Sequence, residues 1–161
     1  MVVNTDKTTF QLFSLSTKHH DIQLQFNDKD LNRIFDTVYL GIHLNTKLTW
    51  TKHVNSAVDK GYARSRLLKR LASATWGSTQ DVLCTAYKSY VRPVVEYGNE
   101  ALITASDSIK NKFDLFQNNM LRLITGGATS TSIVAMELQI ELEPLNERCQ
   151  SAAINLVEKI L

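Results

Sequence analysis

A chain of 161 residues, 43% apolar and 21% charged, is long enough for one domain with a real core or for two small lobes, and its composition argues against disorder over most of the length. No apolar run reaches the roughly 18 residues of a membrane span, and the N-terminus lacks a basic segment followed by an apolar one, so an intracellular protein with no visible targeting signal is expected. Cys84 and Cys149 are too few and too far apart for a disulfide framework or a zinc site. Net charge is +2, unevenly spread. Thr51 to Trp76 holds Lys52, Lys60, Arg64, Arg66, Lys69 and Arg70 against the single acid Asp59, a local +5 that leaves −3 for the rest. Such a block suits a polyanion, and it also suits a solvated helix face.

The first fifty residues predict strands. Thr8 to Leu15 alternates loosely, and Ile22, Leu24 and Phe26 alternate with Gln23 and Gln25, the period of a half-buried strand. A hairpin loop over Ser16 to Asp21 would join the two. Asn27-Asp28-Lys29-Asp30 is turn chemistry. Val38, Leu40, Ile42 and Leu44 predict one face of a third strand, with Gly41 on the opposite face, where a missing side chain admits close approach.

After Trp50 the period turns helical. Val54, Ala57, Val58, Gly61, Ser65, Leu68 and Leu71 form one stripe, with Lys60, Arg64 and Arg70 off it and facing outward. The helix should stop before Trp76-Gly77. Ser78-Thr79-Gln80-Asp81 resembles a capping box for a helix ending near Pro93. Another runs from there to about Ile103. Ser106-Asp107 starts a fourth, with Ile109, Phe113, Phe116, Met120, Leu123 and Ile124 inward, stopped by Gly126-Gly127. Thr131-Ser132 caps a short helix, and Pro144 opens the last. The expected class is therefore α+β: a small antiparallel β lobe over 1–48, then an all-α helical array over 49–161. Three strands without a covering helix bury their apolar faces poorly, which hints at a sheet completed by something upstream.

In order and spacing, several short motifs resemble a non-LTR retrotransposon reverse transcriptase of the jockey-like kind. They are Asn4-x-x-Lys7-Thr8; Tyr39-Leu40-Gly41-Ile42; Leu48-Thr49-Trp50 with His53; Leu68-Lys69-Arg70-Leu71 and Trp76-Gly77. Tyr87 with Arg92-Pro93, Glu96-Tyr97-Gly98, Gln117-Asn118, Leu121 to Gly126, and Pro144-Leu145 with Arg148 continue the series. The resemblance implies that 1–48 is the C-terminal edge of a polymerase palm, and that 49–161 is the helical thumb and the region after it. It implies that Tyr39, Leu40 and Gly41 serve as a primer grip, and that the basic helix holds an RNA–DNA or DNA template–primer duplex. Lys60, Arg64, Arg66, Lys69 and Arg70 are the candidate phosphate contacts.

Nucleotidyl transfer needs paired carboxylates holding two metal ions. In that family these precede the Asn-x-x-Lys-Thr motif, and this chain has no Asp-Asp pair. The chain alone is expected to be inactive as a polymerase, with Mg2+ relevant only to an intact enzyme and the upstream palm as a possible partner. Lys7 is the one candidate for a chemical role, a cation that would stabilise departing pyrophosphate; in this chain a solvated strand-edge lysine is the plainer expectation. Asp28-x-Asp30-x-Asn32 begins like a calcium loop, but Arg33 stands where glycine is needed and Tyr39 where the closing glutamate is needed. His19-His20 has no partner ligands at metal spacing. The competing expectation is a helical interaction module, or an inert relic, with no nucleic-acid role.

Overall fold

The computed structural model describes residues 4, 7–18, 20–72 and 77–160. The expectations placed on Thr5, Asp6, His19 and Trp76 lie outside those residues. The chain is α+β and forms two compact units, Met1–His53 and Val54–Leu161.

Among the described residues the first unit carries six short strands: β1 (Thr9–Phe10), β2 (Gln25–Phe26), β3 (Lys29–Asp30), β4 (Asn32–Arg33), β5 (Asp36–Tyr39) and β6 (Ile42–Asn45). They pair as three two-stranded ribbons. β2–β3 and β5–β6 are antiparallel, while β1 runs parallel to β4. The expected hairpin between the first two strands does not form; the partner of Phe10 is Arg33. Asn27 and Asp28 do make a turn, with φ of 52° and 56°, the left-handed pair that a type I′ hairpin requires.

The expected single strand from Val38 to Leu44 is instead a hairpin. Leu40 (φ 47°) and Gly41 (φ 80°) form its two-residue turn, and Tyr39 pairs with Ile42. Gly41 is therefore explained by backbone conformation at the second turn position and not by close approach across a strand face. One side chain and one backbone hydrogen bond tie the ribbons together. Gln11 Nε2 donates to Phe35 O (3.0 Å) and Leu44 O (3.2 Å), and Ser14 N donates to Thr46 O (3.0 Å). Much apolar surface stays open even so, including Phe13, Leu15, Phe35 and Val38.

The second unit is helical. α1 (Thr51–Leu71) begins within the last residues of the first unit and continues into the second. α2 (Gln80–Ala86) passes through one π-helical segment, Tyr87–Val91, into α3 (Arg92–Val95). Pro93 thus does not end the helix, as the sequence suggested. Proline lacks an N–H, and its ring crowds the carbonyl four residues back. The wider turn ahead of it, in which Arg92 N–H reaches Tyr87 O, relieves both. The N-cap of α2 is Thr79, one residue later than expected, and its side chain makes no capping bond. A 3-10 segment, Asn99–Thr104, leads to α4 (Asp107–Thr125), α5 (Ile133–Gln139) and α6 (Leu145–Ile160).

α4 is the centre of the core. Phe113, Phe116, Met120, Leu121 and Ile124 are buried along it, while Leu123, expected inward, is only half-buried. Gly126 (φ 72°) closes the helix, its N–H on Arg122 O. Tyr87, Leu68 and Leu145 are fully buried, so of the three tyrosines at helical spacing Tyr87 is core, whereas Tyr90 and Tyr97 are exposed. No helix among the described residues is long and apolar enough to cross a membrane.

Candidate nucleic-acid interface

α1 is held by one face. Val54, Ala57, Gly61, Ser65 and Leu68 are buried, and its apolar stripe lies where the three-and-four spacing put it. The charge lies off that stripe, spread over the exposed side of the helix. Lys60, Arg66, Lys69 and Arg70 are exposed, and among the described residues none of them makes an ion pair. Arg66 lies three residues from Lys69 and four from Arg70, which brings like charges together at a cost of a few tenths of a kcal/mol per pair. Lys69 and Arg70 also suit the negative end of the helix dipole.

Two cations of the block are placed differently. Arg64 is half-buried and its guanidinium is engaged. Its Nη1 donates to Tyr90 O at 2.7 Å, and its guanidinium lies 4.7 Å from the Tyr90 ring centroid. That side chain ties α1 to the π-helical segment. Lys52 pairs with Asp36 at 2.7 Å, both side chains largely in solvent.

In the first unit, the β5–β6 turn presents Tyr39 and Leu40 outward, 65% and 72% exposed, with Gly41 beside them. The turn into α1 is tightly built. Asn45 Oδ1 accepts from Thr49 N (2.8 Å) while Asn45 Nδ2 donates to Thr49 Oγ1 (2.7 Å). Leu48 and Trp50 both take positive φ, 49° and 62°, a conformation that bulky residues adopt only when their surroundings enforce it. Trp50 and His53 are buried, and His43 N donates to His53 Nδ1 at 3.5 Å.

Lys7 is exposed, and its motif closes on itself: Asn4 O accepts from Lys7 N (3.3 Å) and from Thr8 Oγ1 (2.7 Å). Among the described residues no group of three or more His, Cys, Asp or Glu could hold a metal ion. Asp30, part of the calcium-like run, spends its carboxylate on Gln23 and Gln25.

Sequence reasoning missed one constellation. Arg92, Glu96 and Arg148 each belong to a motif of the resemblance, and the fold brings them together. Glu96 Oε1 accepts from Arg92 Nε (2.7 Å) and from Arg148 Nε (2.6 Å). Glu143 O then accepts from Arg92 Nη2 (2.9 Å) and from Gln117 Nε2 (3.2 Å). Lys88 Nζ reaches Glu141 O at 3.2 Å. These side chains fasten the segment between α5 and α6, which makes them determinants of the fold. The Glu96 hydrogen bond, reinforced by its charge, raises the pKa of Arg148, and burial pushes the Cys149 thiol to about 11, leaving it protonated and unreactive at neutral pH.

Glu137 lies beside this network, with Oε1 3.3 Å from Gln117 Nε2. Burial raises its pKa, Gln117 opposes the shift, and the charges of Glu147 and Asp114 add to it. A raised folded-state pKa means that this group's contribution to stability is present at low pH and lost as pH rises through that pKa. Glu137→Gln keeps an acceptor for Gln117 and removes the charge. Thermal melts should show the variant more stable than the parent at pH 7, with the gap closing as pH falls below about 4, where the carboxyl becomes protonated in both states. A variant less stable at pH 7 would contradict this.

The chain is similar to the RNA-directed DNA polymerases of Drosophila mobile elements, as its motifs indicated. Over 122 residues, 76% of the chain, it is 25% identical to the RNA-directed DNA polymerase from mobile element jockey of Drosophila melanogaster. Over 124 residues it is 27% identical to a probable RNA-directed DNA polymerase from transposon BS of the same organism. It is 34% identical over 94 residues, 55% of the chain, to that organism's probable RNA-directed DNA polymerase from transposon X-element. The matched regions cover 13%, 14% and 10% of these relatives, so the chain spans a small part of their length. No family model matches the chain. No solved structure matches it.

Proposed function

We propose that the chain is a piece of a mobile-element reverse transcriptase that holds template–primer duplex by its phosphates, without supplying the metal-binding aspartates. In this reading 1–48 is the palm edge, the Tyr39-Leu40-Gly41 turn is the primer grip, and 49–161 is the thumb and the helices after it. The supporting observation is the exposed face of α1, where Lys60, Arg66, Lys69 and Arg70 stand without an ion-pair partner among the described residues. Four cations on one helix suit a ladder of phosphates, and contacts of that kind carry no base preference. Arg64, occupied by Tyr90, is left out of the contact set. The open apolar surface of the first unit fits a palm edge that pairs with upstream sheet.

Gel shifts with an RNA–DNA hybrid at about 50 and about 200 mM salt test the proposal. Binding at the lower concentration that falls at least tenfold at the higher, equally for unrelated sequences, is expected from roughly four phosphate contacts. A chain that binds no hybrid at either concentration is a helical module without a nucleic-acid role.

A further inference from the structure

The charge of α1 has a counterpart at the other end of the second unit. Between residues 123 and 147 there is no Lys or Arg, and four glutamates stand at Glu137, Glu141, Glu143 and Glu147. They surround an open groove of about 640 Å³ between the outer face of α5 and the first turn of α6. Its floor is apolar. Val134 and Leu138, one helical turn apart, are 62% and 75% exposed, and Leu142 and Pro144 complete the floor.

Each feature has a plain structural reason when taken singly. Glu147 suits the N-terminal turn of α6, and lone exposed aliphatic residues are ordinary. Together they make an apolar slot with acid on both sides. The slot is rigid underneath. Arg92 and Gln117 hold Glu143 O, Lys88 holds Glu141 O, and Glu141 itself takes φ 49°. Its acids also burden one another, for the charges of Glu147 and Asp114 add to the upward shift of Glu137. A cationic ligand would relieve that repulsion. An anionic membrane or a nucleic acid would worsen it.

We propose that this groove is a docking site for a basic amphipathic helix of another protein: two aliphatic side chains one turn apart enter between Val134, Leu138 and Leu142, and flanking Lys or Arg residues meet Glu137, Glu141 and Glu147. The occupant follows from charge complementarity and from the helix-in-groove mode, in which residues at i and i+4 anchor the apolar face. Volume is in the range that holds a few side chains.

The probe is a fluorescent Leu/Lys model peptide with helical periodicity, titrated into the full chain by anisotropy, with a Leu/Glu peptide of the same pattern as control. Saturable binding of the Leu/Lys peptide and none of the Leu/Glu peptide is expected. Val134→Ser with Leu138→Ser should weaken it at least about tenfold, since truncating central anchors dominates such interfaces. Glu141→Gln with Glu147→Gln should flatten its salt dependence. All four positions are exposed, so the fold should persist, checked by unchanged circular dichroism. Hybrid binding should be unaffected in every variant, which separates this site from the face of α1. Absence of Leu/Lys binding, or binding that survives Val134→Ser with Leu138→Ser, overturns the proposal.

Discussion

Glu96→Ala is expected to lower the melting temperature of the second unit by about 10 °C or more. Arg92 is only 7% exposed at its side chain, and Glu96 is its carboxylate partner, at 2.7 Å. Removing one member of a buried pair leaves the other charged and unsolvated, which costs about 3–5 kcal/mol in fully enclosed sites. Glu96 retains some solvent contact, so the lower end of that range applies. For a domain of this size, one kcal/mol moves the midpoint by roughly 4–8 °C. Arg148→Ala removes a partner that is itself 44% exposed and should cost much less. The double variant should fall short of the sum, because both changes break the same Arg148–Glu96 contact. Equal and additive losses would show that the three side chains do not act as a network.

Gly61→Ala should also destabilise, although alanine is the better helix former by about 1 kcal/mol. A Cβ at position 61 would stand 2.6 Å from Val95 Cγ2 and 2.8 Å from Phe116 Cζ. Both neighbours are fully buried, so neither can swing into solvent. Overpacking of this kind costs about 1–3 kcal/mol, which exceeds the gain in helix propensity. Gly61→Leu should prevent folding of the second unit. Val95→Ala added to Gly61→Ala should recover part of the loss by removing the nearest atom, and chemical denaturation of the four proteins measures that coupling. A Gly61→Ala variant more stable than the parent would mean that α1 does not approach Val95 and Phe116 as closely as described.

The helical half was largely legible in the sequence, because its signals are local. Gly126 stops α4 by taking the left-handed conformation, Ser106 and Ser132 occupy N-cap positions, and the stripe from Val54 to Leu68 has a helical period. The β half was not. Alternation across Val38, Leu40, Ile42 and Leu44 is the same whether the strand continues or folds back at Leu40-Gly41, and a leucine at φ 47° gives no warning of a turn. Two-residue strands leave too short a pattern to read, and parallel pairing of β1 with β4 depends on contacts far along the chain. Pro93 misled because a π-helical segment absorbs it. For the candidate interface, Lys60 and Arg70 are exposed, off the buried stripe, as periodicity placed them. Arg64 is half-buried instead, since its partner is the Tyr90 carbonyl, 26 residues away. The Glu96 network was hidden for the same reason, with Arg148 lying 52 residues beyond.

Duplex binding through the exposed face of α1 is the centre of the account, and the slope of log K against log salt tests it most directly. Each neutralised phosphate adds roughly 0.7–0.9 to that slope. For an RNA–DNA hybrid the parent chain should give about −3, and the variant with Lys60, Arg66, Lys69 and Arg70 all changed to Ala should give a slope near zero with weak residual binding. Arg64→Ala should lower stability and leave the slope unchanged. A quadruple variant that keeps the parental slope would contradict the account.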